Sequence, residues 1–494
     1  MDISAKHKDT TQLLAFYKFI DAVLAGEESI KAAKTAFLPM TAGMKTLKSQ
    51  IANNDVNATD DDVASLYEDL VARAQFPSWV EEAVVIMVGL IARVTPVISL
   101  PERLQYLQEN STNDGFSIVE LFQRVCYHLL RYGKVSLVAD VDADGKGYIA
   151  LYEAGNEYNW LHSTTNGRKD LTMVAFLESE LNDPTNPFST ESTIVRRAYI
   201  LRDRNAEVWV SKGEEKEATL YSSYLGMPNR PLTYLPVVRL SAINNISESS
   251  NPPLLPLCRA AIKSYQLSAD LFSALHRSCH PQLYVTGVAS SPLSNQSNPN
   301  SDGNRLKNKQ LNYTGAGTVW TLPLNSVVNY AEPQGTGMSR VSEEMAKQKS
   351  AALEAGAKVM DIGVESGEAR EARQNDQYAT LYSIVQNAAK GVEQVLRYLF
   401  DMTSPIENKT EETSIRFEVP VDFGRHTVDG TLAAHLLTAA ERGAISFDTY
   451  WTYLTTGKLP ERTLLEEITK ASSENIKLKP ITGMVQTSKQ GDAS

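Results

Sequence analysis

The stretch that decides the fold runs from residue 252 to residue 281 and reads PPLLPLCRAAIKSYQLSADLFSALHRSCHP. Pro252, Pro253 and Pro256 suit the opening of a helix, where a missing backbone N–H costs nothing. Pro281 cannot continue that helix, because its ring clashes with the preceding turn. The segment therefore predicts one long helix that ends near Cys279.

The chain beyond this helix forms a small module and then turns back into helices. A loop rich in Ser, Asn, Gly and Pro, residues 289–304, lies between two short β runs, Leu283–Val288 and Thr318–Leu322. Helical patterns follow over Gly337–Met360 and Glu368–Phe400. A small module hung between two long helices cannot bury much surface within one chain. We therefore expect this region to pack laterally against copies of itself.

The parts of the chain before and after this helix–module–helix region show the patterns of a mixed α/β fold. Helices are predicted over Asp60–Leu90, with an interruption at Pro77, and over Phe116–Arg131. Short β runs are predicted at Val135–Val141, Tyr148–Tyr152, Met173–Leu177, Ile194–Leu201, Glu207–Val210 and Pro236–Leu240. A strand over Ile415–Val421 and a helical tail over 431–476 complete the chain. The fold class is α+β and mostly helical.

Charge is distributed unevenly along the 494 residues. The whole chain carries a net charge of −11, with 42% apolar and 22% charged residues, which is typical of a folded protein. Residues 253–360 hold ten Lys and Arg against six acidic residues, a net charge of +4, so the remainder carries −15. A generally basic nucleic-acid coat is excluded, and any contact with DNA must be local or weak.

Cellular context follows from cysteine usage and hydropathy. Cys126, Cys258 and Cys279 are too few and too scattered for a disulfide scaffold or a zinc site, which favours a reducing interior. The first residues lack the apolar core of a signal peptide. The longest apolar run, Ala83–Ala92, would rise only about 15 Å as a helix, half of a bilayer core. We expect no membrane association.

The most tempting chemical motif is an acidic loop, residues 142–153, which reads DADGKGYIALYE. It has the oxygen ligands and glycine of a calcium loop, but Lys146 occupies a ligand position and the flanks read as strands. A hairpin turn is the favoured interpretation. The sequence contains no serine-nucleophile elbow, no phosphate loop and no clustered histidines, so no catalytic, metal or cofactor site is predicted.

A series of segments in fixed order resembles the portal (head–tail connector) proteins of tailed bacteriophages, in a subgroup first catalogued as an uncharacterised phage family. No single motif is diagnostic, and the resemblance rests on order and spacing over about 400 residues. The matching segments are 67–76, 88–101, 114–117, 132–140 (in which Lys134 replaces an expected Arg), 151–160, 251–257, 281–287, 314–323 and 443–457.

The resemblance implies an architecture in which each part of the chain has a place in a ring of about twelve subunits. Helices about 10 Å wide, twelve in a circle, leave a bore of about 28 Å, enough for duplex DNA. The implied parts are an α/β wing (1–252 and 373–428), stem helices (253–280 and 337–360), a small α/β clip (281–336), a tunnel loop (361–372) and a helical crown (429–494).

The same resemblance assigns roles to individual residues. The channel would be lined by tunnel-loop and stem residues: Ile362, Val364, Glu365, Ser366, Lys347, Lys349 and Lys358. Partner proteins would meet the clip at Arg305, Lys307 and Lys309. Small residues would let neighbouring subunits approach closely at Ala352, Ala355 and Gly356.

The implied partners are further copies of the chain, double-stranded DNA, the terminase motor, a tail or adaptor protein and the major capsid protein. DNA contacts would go to backbone phosphates without sequence preference, and few cations near the bore would let the duplex slide. The implied location is a capsid vertex of the virion, after assembly in the host cytoplasm. Two alternatives stay open: another virion structural protein, such as a head-completion or shell protein, and an enzyme acting on phage DNA.

Overall fold

The structure, a computed structural model, describes residues 1–142, 144–165, 167–183, 185–186, 188–222, 232–243, 251–278, 282–286, 327–331, 336–354, 367–403, 414–419, 430–456, 459–460 and 462–485. Within these ranges the fold is mixed α+β, as the sequence predicts.

The helices account for most of the described residues. They are α1 (Thr10–Leu24), α2 (Gly26–Ala32), α3 (Ala42–Ala52), α4 (Asp60–Arg73), α5 (Trp79–Ala92), α6 (Ile118–Tyr132), α7 (Leu255–Ser278), α8 (Thr336–Glu354), α9 (Gly367–Thr403), α10 (Gly430–Glu441), α11 (Phe447–Thr456) and α12 (Leu464–Val485). Short 3-10 helices span Lys34–Ala36 and Glu102–Gln108.

The strands are short and mainly antiparallel. They are β1 (Val97–Ser99), β2 (Lys134–Val141), β3 (Gly147–Glu153), β4 (Glu157–Thr165), β5 (Arg168–Leu181), β6 (Ser192–Arg202), β7 (Asn205–Lys212), β8 (Thr219–Ser222), β9 (Val237–Ser241), β10 (Gln282–Thr286), β11 (Val327–Ala331) and β12 (Arg416–Glu418). Strands β4 to β8 form a five-stranded meander, and β2 lies between β3 and β9 in a three-stranded sheet.

Local sequence explains where the predicted helices begin and end. Helix α6 begins with a capping box, in which the Ser117 hydroxyl accepts from the Glu120 N–H and the Glu120 carboxylate accepts from the Ser117 N–H. It ends at Gly133, whose φ of 73° lies in the left-handed region that glycine adopts without strain. The prediction of two helices around Pro77 is confirmed by α4 and α5.

The acidic loop that resembles a calcium site is a hairpin turn. Strands β2 and β3 are paired in register from Val135↔Glu153 to Val141↔Gly147. The Asp142 carboxylate accepts hydrogen bonds from the backbone N–H of Asp144 (3.0 Å) and of Lys146 (2.8 Å). This carboxylate therefore stabilises the turn, and the hairpin interpretation is confirmed.

The core of the larger unit lies where α6 and α9 pack on the three-stranded sheet. The apolar stripe predicted on the third long helix is buried there: Leu381, Ile384, Val385, Ala388, Val392, Val395, Leu396 and Leu399 are each at most 3% exposed. Helix α9 approaches the sheet closely at Gly391, where an added Cβ would collide with the Leu240 side chain. Glycine there permits the contact.

The chain divides into two compact units, Met1–Val421 and Asp422–Ser494. In the second unit a polar network joins α11 to α12: the Glu467 carboxylate accepts from the hydroxyls of Ser446 (2.8 Å) and Thr449 (2.7 Å). None of the helices in the described part of the chain is long and apolar enough to span a membrane.

Candidate functional site

The candidate site is the helix–ribbon–helix excursion made by α7, β10, β11 and α8. Helix α7 ends at Ser278, close to the end that Pro281 predicts. Strands β10 and β11 form an antiparallel ribbon, in register from Gln282↔Ala331 to Thr286↔Val327. Helix α8 follows the ribbon and packs against α7. The excursion therefore leaves and returns as a pair of helices.

The ribbon contains one strand that the sequence predicts and one that it does not. The first predicted run, Leu283–Val288, overlaps β10, and β10 pairs with Val327–Ala331. The predicted second run, Thr318–Leu322, lies outside the described residues. A β run that begins at Val327 was missed because Val-Val-Asn-Tyr-Ala is short and shows no strict apolar/polar alternation.

The first half of α7 is held firmly by its own chain. The Tyr265 ring is fully buried and meets Phe76 edge-on, with ring centroids 6.1 Å apart. The Ser268 hydroxyl donates to the Gln75 carbonyl and accepts from the Gln75 N–H, both at 2.9 Å. Gln266 donates to the Phe37 carbonyl at 2.8 Å. Helices α1, α4 and α5 pack against α7, so this helix buries much of its surface within its own chain.

Helix α8 is held much less. Half-buried or buried side chains recur at Val341, Met345, Gln348 and Ala352, a spacing that places them on one face. Exposed side chains occupy the rest of the helix surface and include Ala346, Lys347, Lys349, Ser350 and Ala351. Because α8 packs on α7, its inward face is the one carrying Ala352, which is 1% exposed.

This burial bears on the small residues predicted at subunit contacts. Ala352 is covered within the chain, which already accounts for a small side chain there. A subunit contact at Ala352 stays a prediction, whereas its neighbour Ala351 is exposed.

The two described channel lysines differ in their electrostatic surroundings. The Lys347 ammonium lies 3.3 Å from the Glu344 carboxylate, and its side chain is 73% exposed. Hydrogen bonds from Gln348 and then Lys347 hold the pKa of Glu344 below its usual range, and Lys263 of α7 lowers it further. Lys349 is exposed on the same turn of α8. The charge of Lys347 is thus partly offset locally.

The remaining predicted site residues lie outside the described residues. These are the channel residues Ile362, Val364, Glu365, Ser366 and Lys358, the partner-facing residues Arg305, Lys307 and Lys309, and the packing residues Ala355 and Gly356.

The larger unit contains a buried ionic cluster that was not predicted from the sequence. The Glu157 carboxylate lies 2.6 Å from both the Lys134 ammonium and the Arg239 guanidinium, and all three side chains are at most 6% exposed. Burial alone would raise the pKa of Glu157, but the two cations lower it to about 2. A lysine at the head of an otherwise apolar β run was the one signal available in the sequence.

A close contact links this region to the start of α7. An added Cβ at Gly133 would lie 3.1 Å from Pro253 Cδ and 3.3 Å from the Asn251 carbonyl oxygen. Gly133 is both the residue that ends α6 and the one that precedes β2. The beginning of the excursion therefore rests on the joint between the core helix and the core strand.

The described part of the site consists of helix surfaces and a β ribbon, and its features are those of a packing surface. In the part of the chain that the structure describes, no group of three or more His, Cys, Asp and Glu side chains is placed to hold a metal ion. The arrangement can support packing, charge contacts and attachment of the β10–β11 ribbon.

One family model matches the part of the chain that contains the helix–ribbon–helix excursion. The family model described as "Domain of unknown function (DUF4055)" matches residues 253–402, from just before α7 to the end of α9. No curated protein matches the chain.

Among solved structures, the chain is similar to one from the neck of an empty GTA particle computed with C6 symmetry. The identity is 12%, the TM-score is 0.42, and the match covers 77% of this chain and 90% of that one. A chain from the neck of a native GTA particle computed with C12 symmetry matches over the same shares, with 12% identity and a TM-score of 0.40.

Proposed function

We propose that the chain is a portal protein, a ring-forming subunit at a capsid vertex of a tailed phage, through whose channel double-stranded DNA passes. The observation that carries the proposal is the helix–ribbon–helix excursion, which starts at the core joint around Gly133 and returns through α9 to the same sheet. The ordered sequence segments that resemble portal proteins support it independently.

The excursion fits this role because its two helices are unequally covered. Helix α7 is anchored in the body, whereas α8 exposes small side chains at Ala346 and Ala351. A ring would cover the part of this exposed surface around Ala351 with the next subunit and would leave sparse positive charge near the bore, where it would not hold the duplex tightly. The clip would meet the terminase motor and the tail adaptor, and the crown would face the capsid interior.

The direct test is the mass and shape of the purified full chain. Native mass spectrometry and negative-stain imaging should show a holed ring of about twelve copies. A monodisperse monomer at high protein concentration would contradict the proposal. Closed shells would indicate a coat protein, and a monomer or dimer that cleaves DNA with magnesium would indicate an enzyme.

Two adjacent alanines provide a matched pair for the interface. Ala351→Glu should block ring formation while the free chain keeps its native unfolding transition, because residue 351 faces outward. Ala352→Glu should instead lower the stability of the free chain, because it places a carboxylate in the α7–α8 contact. Rings that form normally with Ala351→Glu would remove α8 from the subunit interface.

A further inference from the structure

Residues 1–9, here called the N-terminal arm, lie across the five-stranded sheet. The Ala218 N–H donates to the Met1 carbonyl at 2.8 Å, and the Ile3 N–H donates to the Lys216 carbonyl at 3.3 Å. Asn159 donates its side-chain amide to the Ala5 carbonyl at 2.8 Å. The arm is therefore bound mainly through its backbone, at both ends of the sheet's strand order.

The apolar anchor of the arm is Ile3. Its side chain is 7% exposed and packs in a slot formed by Tyr158, Ala175, Ala198 and Ala218. The Tyr158 hydroxyl also donates to the Ile3 carbonyl at 2.7 Å. Larger apolar side chains border the slot and are only partly buried: Met173, Leu177, Ile200 and Trp209. Removal of the arm would therefore expose a continuous apolar strip of the sheet.

The polar anchor of the arm is His7. Its ring stacks on Trp160, with centroids 3.9 Å apart and planes inclined by 21°. Its Nδ1 accepts a hydrogen bond from the Asp9 N–H at 3.3 Å, which requires that nitrogen to be unprotonated. Its own backbone N–H donates to the Tyr158 carbonyl at 3.0 Å. The bound arm thus contains His7 in its neutral form.

The Trp160 ring already has two cations against it. The Lys134 ammonium lies 4.2 Å from the ring centroid and the Arg239 guanidinium carbon lies 4.9 Å from it. Both are tied to Glu157, which leaves one excess positive charge in the cluster. The charged groups around the His7 ring are Lys8 and Asp9 of the arm, Lys134 of β2, Glu157 of β4 and Arg239 of β9.

Protonation of His7 therefore works against the bound arm. It removes the acceptor for the Asp9 N–H and adds a further cation beside Lys134 and Arg239. Partial burial lowers the pKa of His7, the Asp9 carboxylate 3.6 Å away opposes this, and the nearby lysines and arginine lower the pKa further. The net direction is downward, so binding of the arm weakens as the pH falls through the range in which histidine titrates.

We propose that the N-terminal arm is a pH-sensitive latch, in which protonation of His7 releases residues 1–9 from the sheet and uncovers the apolar slot under Ile3. This inference concerns the single chain and does not depend on the proposed ring.

The test is hydrogen exchange of the full chain at pH 7.5 and pH 5.5, with any tag placed at the C-terminal end. Exchange rates are corrected for the intrinsic effect of pH, so that protection of the arm can be compared directly. We expect protection of the arm peptide to fall by about twofold or more at pH 5.5, while protection of α6 and β2 is unchanged. Equal protection of the arm at both pH values would overturn the proposal.

Two variants separate the latch from a general effect of acid. His7→Phe keeps an aromatic ring that can stack on Trp160 but cannot be protonated, so its arm should show the same protection at both pH values. A His7→Phe arm that loosens at pH 5.5 as much as the native arm would exclude His7 as the sensor.

The second variant, Asp9→Asn, keeps the backbone N–H that bonds His7 and removes the carboxylate that favours its protonated form. Because His7 is then harder to protonate, protection of the arm at pH 5.5 should exceed that of the native arm and should fall only at a lower pH. If protection of the Asp9→Asn arm fell at the same pH as that of the native arm, or at a higher pH, the electrostatic account would be contradicted. This outcome does not depend on the result for His7→Phe.

Discussion

Helices α7 and α8 pack side by side, yet their own chain covers them very differently. In α7 apolar side chains from Leu257 to Ala269 are buried against α1, α4 and α5. Among the described side chains of α8 only Ala352 is fully buried, and the exposed surface is polar with small residues between. The difference shows that one helix is part of the body and that the other has a face free for a neighbour.

The largest expected change in stability comes from a substitution in α7, the covered helix. Tyr265→Ala should lower the free energy of unfolding by about 3–5 kcal/mol, because it empties a fully buried aromatic site against Phe76. The matched change in α8, Val341→Ala, removes a half-buried side chain and should cost less than about 1 kcal/mol. Urea unfolding of the two variants measures both values. Equal losses would mean that α8 is as firmly held as α7.

The next effect concerns the pH dependence of the body. Because Lys134 and Arg239 hold the pKa of Glu157 near 2 against an ordinary value of 4.5, the ionised carboxylate stabilises the fold above pH 4.5. That stability, on the order of 3 kcal/mol, is lost as the pH falls from about 4.5 to about 2.

Urea unfolding at pH 5 and pH 3 would measure this loss. The Glu157→Gln variant should lose less free energy of unfolding between pH 5 and pH 3 than the native chain, because it has no carboxylate to protonate at this position. It should also be less stable at pH 5, because two buried cations lose their partner. An acid loss in Glu157→Gln as large as in the native chain would assign the effect to other carboxylates.

A smaller effect is expected where α9 rejoins the sheet. Gly391→Ala adds a Cβ that meets Leu240, and the helix must shift away from β9. We expect a loss of about 1–3 kcal/mol, typical of an overpacked core. Gly337→Ala, at a position with open space near the start of α8, is the control and should leave stability unchanged or slightly raised. Thermal unfolding distinguishes them, and a neutral Gly391→Ala would show that α9 is loosely seated.

The smallest effect concerns the free face of α8 and rests on the proposed channel. Neither Lys347→Gln nor Lys349→Gln should change the stability of the chain, since both side chains are exposed. In assembled rings, Lys349→Gln should weaken duplex binding and lower its salt dependence more than Lys347→Gln, because Glu344 already offsets the charge of Lys347. Salt titrations of DNA binding measure this, and the reverse order would place Lys347 closer to the DNA.

Local sequence patterns predicted the elements whose signals are short-range. The end of α7 before Pro281, the capped helix α6, the β2–β3 hairpin around Asp142 and the apolar stripe of α9 were each legible from a few consecutive residues. Helices α1, α2 and α3 were not predicted.

The contacts that matter for the site could not be predicted, because they join distant parts of the chain. The partners of Tyr265 and Ser268 are Phe76 and Gln75, and those of the arm are Tyr158 and Lys216. No local period records such pairings. The same limit hid the Glu157 cluster, whose members come from three separate strands.

Gly133 and Pro253 lie in close contact although they are 120 residues apart in the chain. The bare Cα of the glycine leaves the space into which the proline ring fits, at a φ that other residues rarely adopt. A side chain at residue 133 would be strained by this φ and would also crowd Pro253, so we expect homologous sequences to retain glycine there.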